Sequence, residues 1–198
     1  MNTFSRVAIA MVGMTGLAVA QPKTDAPKAG DAKAGDAKAG AAQDMGPPAE
    51  LATVAKMAAG TWHCKGQGMD RSQKMADLTG TMAIKLDINN WWLHGTFDSK
   101  MGKESFHFES FSTFNPATKK WTRVMVESGG NWASGESAGE KDHKIDWELA
   151  THSPAMGDGA FRDHEDLSDP KAGARMWGEF SPDKGKTWVK VYEMACKK

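Results

Sequence analysis

Six histidines, eight tryptophans and two cysteines are the side chains of this 198-residue sequence with the most chemistry to offer. The histidines are His63, His94, His107, His143, His152 and His164, and no two of them form an H-E-x-x-H or other tight ligand pair. His164 stands apart because it sits in Asp163-His164-Glu165-Asp166, the most polar stretch of its neighbourhood. Opposing strands could bring His94 or His107 beside it, so a metal or haem site centred on His164 is one reading. Solvent-facing polar residues on an edge-like strand are the other, because a lone histidine rarely reaches a full ligand set. Nucleophilic catalysis has little to build on. There is no G-x-S-x-G elbow, and Ser134, within Trp132-Ala133-Ser134-Gly135-Glu136-Ser137, has no evident base. Glu165 and Asp166 are adjacent, so on a strand they point to opposite faces and cannot share a substrate. Gly129-Gly130 and Gly157-Asp158-Gly159 precede strand-like rather than helix-like segments, which disqualifies them as phosphate loops. A binding protein is favoured over an enzyme.

The tryptophans all fall between positions 62 and 188. Large aromatic residues commonly do no more than fill a β core. In a wide barrel they can instead wall a hollow: about eight strands leave room for side chains or one small ligand, and more strands leave more. Trp62, Trp91, Phe97, Phe106, Phe108, Trp147 and Trp188 are the candidate lining, suited to an apolar or amphipathic small molecule.

These side chains must be carried by strands. Pro47-Pro48 opens a short helix over 49–59, with Leu51, Val54, Ala55 and Ala58 on one face and Gly60 at its end. Beyond it the hydrophobic period changes to two. Met82, Ile84, Leu86 and Ile88 alternate with Thr81, Ala83, Lys85 and Asp87; Trp91, Leu93 and Phe97 with Trp92, His94, Thr96 and Asp98; Ile145, Trp147 and Leu149 with Lys144, Asp146 and Glu148. Ten strands are expected, at 61–68, 79–88, 91–99, 103–114, 120–127, 131–138, 143–152, 160–167, 174–181 and 187–196. Turn-formers such as Asn89-Asn90, Asn115-Pro116 and Gly129-Gly130 separate them. One apolar and one wet face, with short connections, indicates an all-β fold: a closed antiparallel up-and-down β-barrel of about ten strands with one short N-terminal helix.

The cysteines argue for closure. Cys64 lies in the first strand and Cys196 in the last, each on the apolar face. With an even number of up-and-down strands these two meet antiparallel, close enough for a disulfide across the seam. An oxidising compartment would keep it formed. Residues 1–20 supply the route there: Arg6, an apolar stretch from Val7 to Leu17, and Ala18-Val19-Ala20 before Gln21 read as a secretory signal. Residues 21–47, with Asp-Ala-Lys-Ala-Gly at 31–35 and 36–40 and no branched aliphatic or aromatic residue, read as a disordered linker. The domain is then 48–198, in a periplasmic or secreted protein. It carries 20 basic and 21 acidic residues, too even a balance for nucleic-acid binding. No apolar run long enough to span a membrane follows the signal. A monomer or weak dimer is expected.

The helix Glu50–Gly60 running into Gly60-Thr61-Trp62, followed by antiparallel strands and the hairpin Phe114-Asn115-Pro116-Ala117-Thr118-Lys119-Lys120-Trp121, resembles the calycin-like barrels. These are the lipocalins, the fatty-acid-binding proteins and the nitrobindin-type bacterial barrels, and the likeness extends to a bacterial family of unknown function with this layout. It covers about residues 50–195. It implies a small hydrophobic ligand inside the barrel, by analogy of fold alone. Nitrobindin-type barrels hold haem through a histidine on a late strand, which by position would be His164; without it no cofactor is implied. An envelope interaction protein with a solid core is the remaining alternative. Ser181-Pro182-Asp183-Lys184-Gly185-Lys186-Thr187-Trp188 resembles the Asp-box turn of sialidase propellers, and the 114–121 hairpin resembles a kelch turn. Each occurs once, without the blade repeat a propeller needs, so both read as hairpin chemistry.

Overall fold

The structure, a computed structural model, describes residues 46–154, 157–169, 171 and 173–198. The expected signal, 1–20, and all but the last two residues of the expected linker, 21–47, lie outside the described residues.

Period-two patterning becomes strands throughout. A helix, α1 (Ala49–Ala58), precedes β1 (Gly60–Met69), β2 (Met75–Asp87), β3 (Trp92–Met101), β4 (Glu104–Asn115), β5 (Lys120–Glu127), β6 (Trp132–Ser137), β7 (Glu140–Lys141), β8 (Lys144–Ser153), β9 (Gly157–Asp166), β10 (Ala174–Ser181) and β11 (Val189–Lys197). Each strand pairs antiparallel with its neighbour in sequence, except that β6 also pairs with β8, while the two-residue β7 lies against β8 alone. The pairing of β1 with β11 completes the ring. The result is a closed antiparallel ten-stranded barrel with one short helix and a minor flap, β7, where the sequence pattern suggests only a turn.

The closing seam is set by register. Cys64 lies directly opposite Cys196, and a disulfide joins them across 132 residues of chain. Glycine permits close approach at the two junctions that complete the ring. A Cβ on Gly66 would lie 2.0 Å from the Glu193 carbonyl oxygen on β11, and one on Gly135 would lie 2.0 Å from that of Glu148 on β8. No side chain fits in that space, so these strands can lie this close and curve only with glycine there.

An up-and-down ring has two ends. The starts of β1 and β3 and the ends of β2 and β4 share one end with α1. Leu51, Val54 and Ala55 of the helix pack there with Leu93, Trp121, Ala133, Ile145, Trp147 and Leu149, so α1 plugs this end with apolar surface. A second buried cluster surrounds the disulfide and includes Trp62, Leu78, Met82, Phe97 and Met194. The opposite end carries the β1–β2, β3–β4 and β5–β6 turns.

Most strand ends shift by one to four residues from the expected bounds, and two of the shifts fall at candidate site residues. Ile88, Asn89 and Asn90 all take positive φ, so the β2–β3 turn is tighter and longer than an Asn-Asn pair implies. It draws in Ile88, which is exposed, and Trp91, whose N–H donates to the Ile88 carbonyl and whose carbonyl accepts from Thr113. Strand β11 starts at Val189, after Trp188. The Asp183 carboxylate organises that turn by accepting from the Ser181 hydroxyl, the Lys186 and Thr187 amides and the Thr187 hydroxyl. These bonds hold its carboxyl well down, at about 2. The turn is hairpin chemistry, as the isolated Asp-box pattern suggests.

Candidate binding cavity

Because side chains alternate along a strand, every second residue of the ring points inward. These residues surround a cavity of about 1450 Å³ that extends from the face of α1, at Val54 and Ala58, to the turns of the opposite end, where Asp70, Arg71 and Asn131 line it. Trp62, Phe97, Phe106, Phe108 and Trp147 are in its wall, as the alternation suggests. Phe97, Phe106 and Phe108 form one continuous aromatic surface, with the Phe108 ring centroid 5.4 Å from that of Phe97 and 6.0 Å from that of Phe106. Trp62 is anchored by its indole N–H, which donates to the Ala58 carbonyl at 2.8 Å and ties β1 to the helical plug.

Two candidate lining residues lie elsewhere, and both are corrections. Trp91 belongs to the β2–β3 turn and is not part of the wall. Trp188 lies in the Asp183 turn, where the Arg162 guanidinium covers its ring at 4.1 Å; Arg162 is an outward residue of β9. In both cases the strand starts just after the tryptophan, so face parity no longer decides where the side chain goes.

His164 is the third correction. On β9 it shares the outer face with Arg162 and Asp166. Its ring stacks on Trp177 at 4.8 Å and its Nδ1 lies 2.6 Å from Asp146 Oδ1. It therefore points away from the cavity and cannot hold a haem inside the barrel. Among the described residues no group of three or more His, Cys, Asp or Glu side chains is arranged to hold a metal ion. Strand β9 is also no edge: β8 and β10 flank it.

The inner face of β9 carries what the sequence reading missed. Asp163 and Glu165 are two apart, so both point inward, where they meet Arg123 of β5 across the barrel. Arg123 Nη1 donates to Asp163 Oδ2 at 2.8 Å, Nη2 to Glu165 Oε1 at 2.7 Å, and Nε to the Ser112 hydroxyl at 3.1 Å. The guanidinium lies over the Trp147 ring at 3.8 Å, and the Trp147 indole N–H donates to Glu165 Oε1 at 3.2 Å. The Tyr192 hydroxyl donates to Asp163 Oδ1. The side chains of Arg123, Asp163 and Glu165 are 13, 4 and 15 % exposed.

Burial dominates the titration of this cluster. It pushes the Asp163 carboxyl up to about 6, against the opposing pull of the Arg123 charge. It also raises Tyr192 well above the usual phenol value, with the Asp163 charge adding to the effect. Burial lowers Arg123, but the Glu165 and Asp163 charges outweigh it and leave that group raised. Glu127, on the inner face of β5 nearer the open end, is raised by burial alone. Alternation offered one clue to the cluster: Arg123 has the parity of Trp121 and Met125, and Asp163 that of Phe161. Charged residues at inward parity are easily taken for a register break instead.

Comparison with solved structures gives the crystal structure of Rv2717c from M. tuberculosis, at a TM-score of 0.59 with 9 % sequence identity, covering 77 % of this chain and 98 % of that one. At that identity the likeness is one of fold. No protein-family model and no curated protein sequence matches the chain.

Proposed function

We propose that this protein is an exported, calycin-like carrier that holds one small hydrophobic or amphipathic molecule inside its barrel. The observation that carries the reading is the cavity of about 1450 Å³, walled by Trp62, Phe97, Phe106, Phe108 and several methionines. Packed protein interiors leave few voids larger than a water molecule, and pockets of about 300–1,000 Å³ are the usual range for small ligands. A space of this size favours a carrier over a solid-cored interaction protein. The seam disulfide supports a site of action in an oxidising compartment, in keeping with the signal-like segment 1–20. The wall places a hydrogen-bonded charged cluster deep inside and apolar surface around it, the arrangement that orients an amphipathic guest.

Titration with the uncharged dye N-phenyl-naphthylamine tests the carrier reading. One dye molecule per barrel is expected, with saturable fluorescence enhancement, and Ser110→Trp, which fills part of the cavity, weakens binding about tenfold. Enhancement that does not saturate, or that Ser110→Trp leaves untouched, counts against an interior site. Export is tested separately by the mass of the mature chain recovered from the cell envelope. That mass should begin at Gln21, and an intact chain from Met1 would refute cleavage.

A further inference from the structure

We infer that the cavity is built for an amphipathic cation, an apolar body bearing one protonated amine, with the ammonium seated against Glu165 at the plugged end. This inference rests on the carrier reading above and specifies the ligand class of the same site.

The charge of the wall is the first observation. Asp70, Glu104, Glu127, Asp163 and Glu165 line the cavity against Arg71, Arg123 and one histidine, His152, whose Nδ1 lies 2.9 Å from Asp158 Oδ1. Arg71 is at the open end, exposed, and paired with Glu104 at 3.4 Å. Deep in the barrel Arg123 is the one guanidinium or ammonium among the described lining residues, and it faces two carboxylates.

Three of the five N–H groups of Arg123 are also already engaged. Each of its three nitrogens already donates to a protein acceptor, and one face of its plane is covered by Trp147. A bound carboxylate needs the forked face of an arginine. Here the two terminal nitrogens are held by Asp163 and Glu165, so an anionic guest would reach only their second N–H groups and would lie against two carboxylates compensated by one arginine.

The acceptors, by contrast, are not exhausted. Glu165 Oε1 accepts from Arg123 and Trp147, while Oε2 takes no hydrogen bond among the described residues. Thr151, a lining residue of β8 nearer the open end, has a buried hydroxyl with no partner. Glu127 adds a further carboxylate with no basic partner among the described residues, towards the mouth. An amine donates to Glu165 Oε2, completes the charge balance of one arginine against two carboxylates, and leaves its apolar body along Phe97, Phe106 and Phe108.

The test uses the intact chain and three probes with one tail: octylamine, octanoate and octanol, titrated calorimetrically near neutral pH. Octylamine is expected to bind at least about tenfold more tightly than octanoate, the value of one charge-assisted hydrogen bond, with octanol between them. Glu165→Gln, which keeps an acceptor for Trp147, should bring amine and acid to within about threefold of each other. Should that variant fail to fold, the wild-type ratio decides, and Glu127→Gln should narrow it in the same direction. Octanoate binding as tightly as octylamine, with octanol also bound, overturns the cationic preference and leaves the carrier reading standing. Failure of all three probes to bind overturns both.

Discussion

Arg123 is one residue on which two buried carboxylates depend. Its removal leaves Asp163 and Glu165 facing each other without a counter-charge, and breaking a buried pair from one side costs about 3–5 kcal/mol. Arg123→Met is expected to lower the urea unfolding free energy by about that amount; a loss below about 1 kcal/mol would show that water already screens the cluster. Asp163 adds a pH signature with a definite sign. Its carboxyl is raised from 3.8 to about 6 by burial, while Arg123, Glu165, Tyr192 and neighbouring His164 are the groups acting on it. Below pH 3.8 both folded and unfolded chains hold the proton; between 3.8 and about 6 the unfolded chain releases it and the folded chain does not. Stability from this group is therefore present at low pH and lost as pH rises through that window. Asp87 and Asp183, each lowered to about 2, act in the opposite sense below their ordinary values. Asp163→Asn removes only the first contribution. Urea midpoints compared across the window should fall less steeply with rising pH in the variant than in the wild type, and parallel profiles would contradict the assignment. These residues were poorly legible in the sequence for a physical reason. A buried ion pair between β5 and β9 is separated by 40 residues, and strand parity tells which face a residue takes but not what stands across the barrel.

At the scale of elements, far more could be read. Alternation in Met82-Ala83-Ile84 or Ile145-Asp146-Trp147 depends only on neighbours in sequence, and it located all ten strands of the ring. It failed at strand ends. Three consecutive positive-φ residues extended one turn and removed Trp91 from the wall, and the Asp183 hydrogen bonds did the same to Trp188. Side-chain-to-backbone bonds of this kind compete with the ladder locally and leave no trace in a period-two pattern. The short β7 flap was missed likewise, since two residues carry no period. The glycines at the junctions give this scale its test. In Gly135→Ala the new methyl meets the Glu148 carbonyl oxygen at 2.0 Å, so β6 and β8 must separate. Hydrogen exchange should quicken at the amides of 133–136 and of the facing β8 residues, with the β2–β3 pairing unaffected. Unchanged exchange at β6 would mean that the ring does not close there as described.

For the molecule as a whole, closure and hollowness are separate properties. Closure was legible from two cysteines and an even strand count, because antiparallel geometry leaves the first and last strands little choice. Replacing Cys64 and Cys196 together by alanine should cost about 2–5 kcal/mol, since the bridge restrains a long loop in the unfolded chain; an unchanged melting temperature would show that the seam hydrogen bonds alone suffice. Hollowness was not legible, because aromatic residues that fill a core and those that wall a cavity follow one alternation. The cavity is the property on which function rests, and its own methionines can report on it. Met82, Met101, Met125, Met176 and Met194 line the space, whereas Met75 is 43 % exposed and lies outside it. Carbon-13 methyl spectra of the methionine-labelled protein, recorded while octylamine or octanol is added, test occupancy most directly. The account predicts saturable shifts of the lining methyls with Met75 stationary. Shifts confined to Met75, or no shifts at all up to the solubility of the probes, would contradict it.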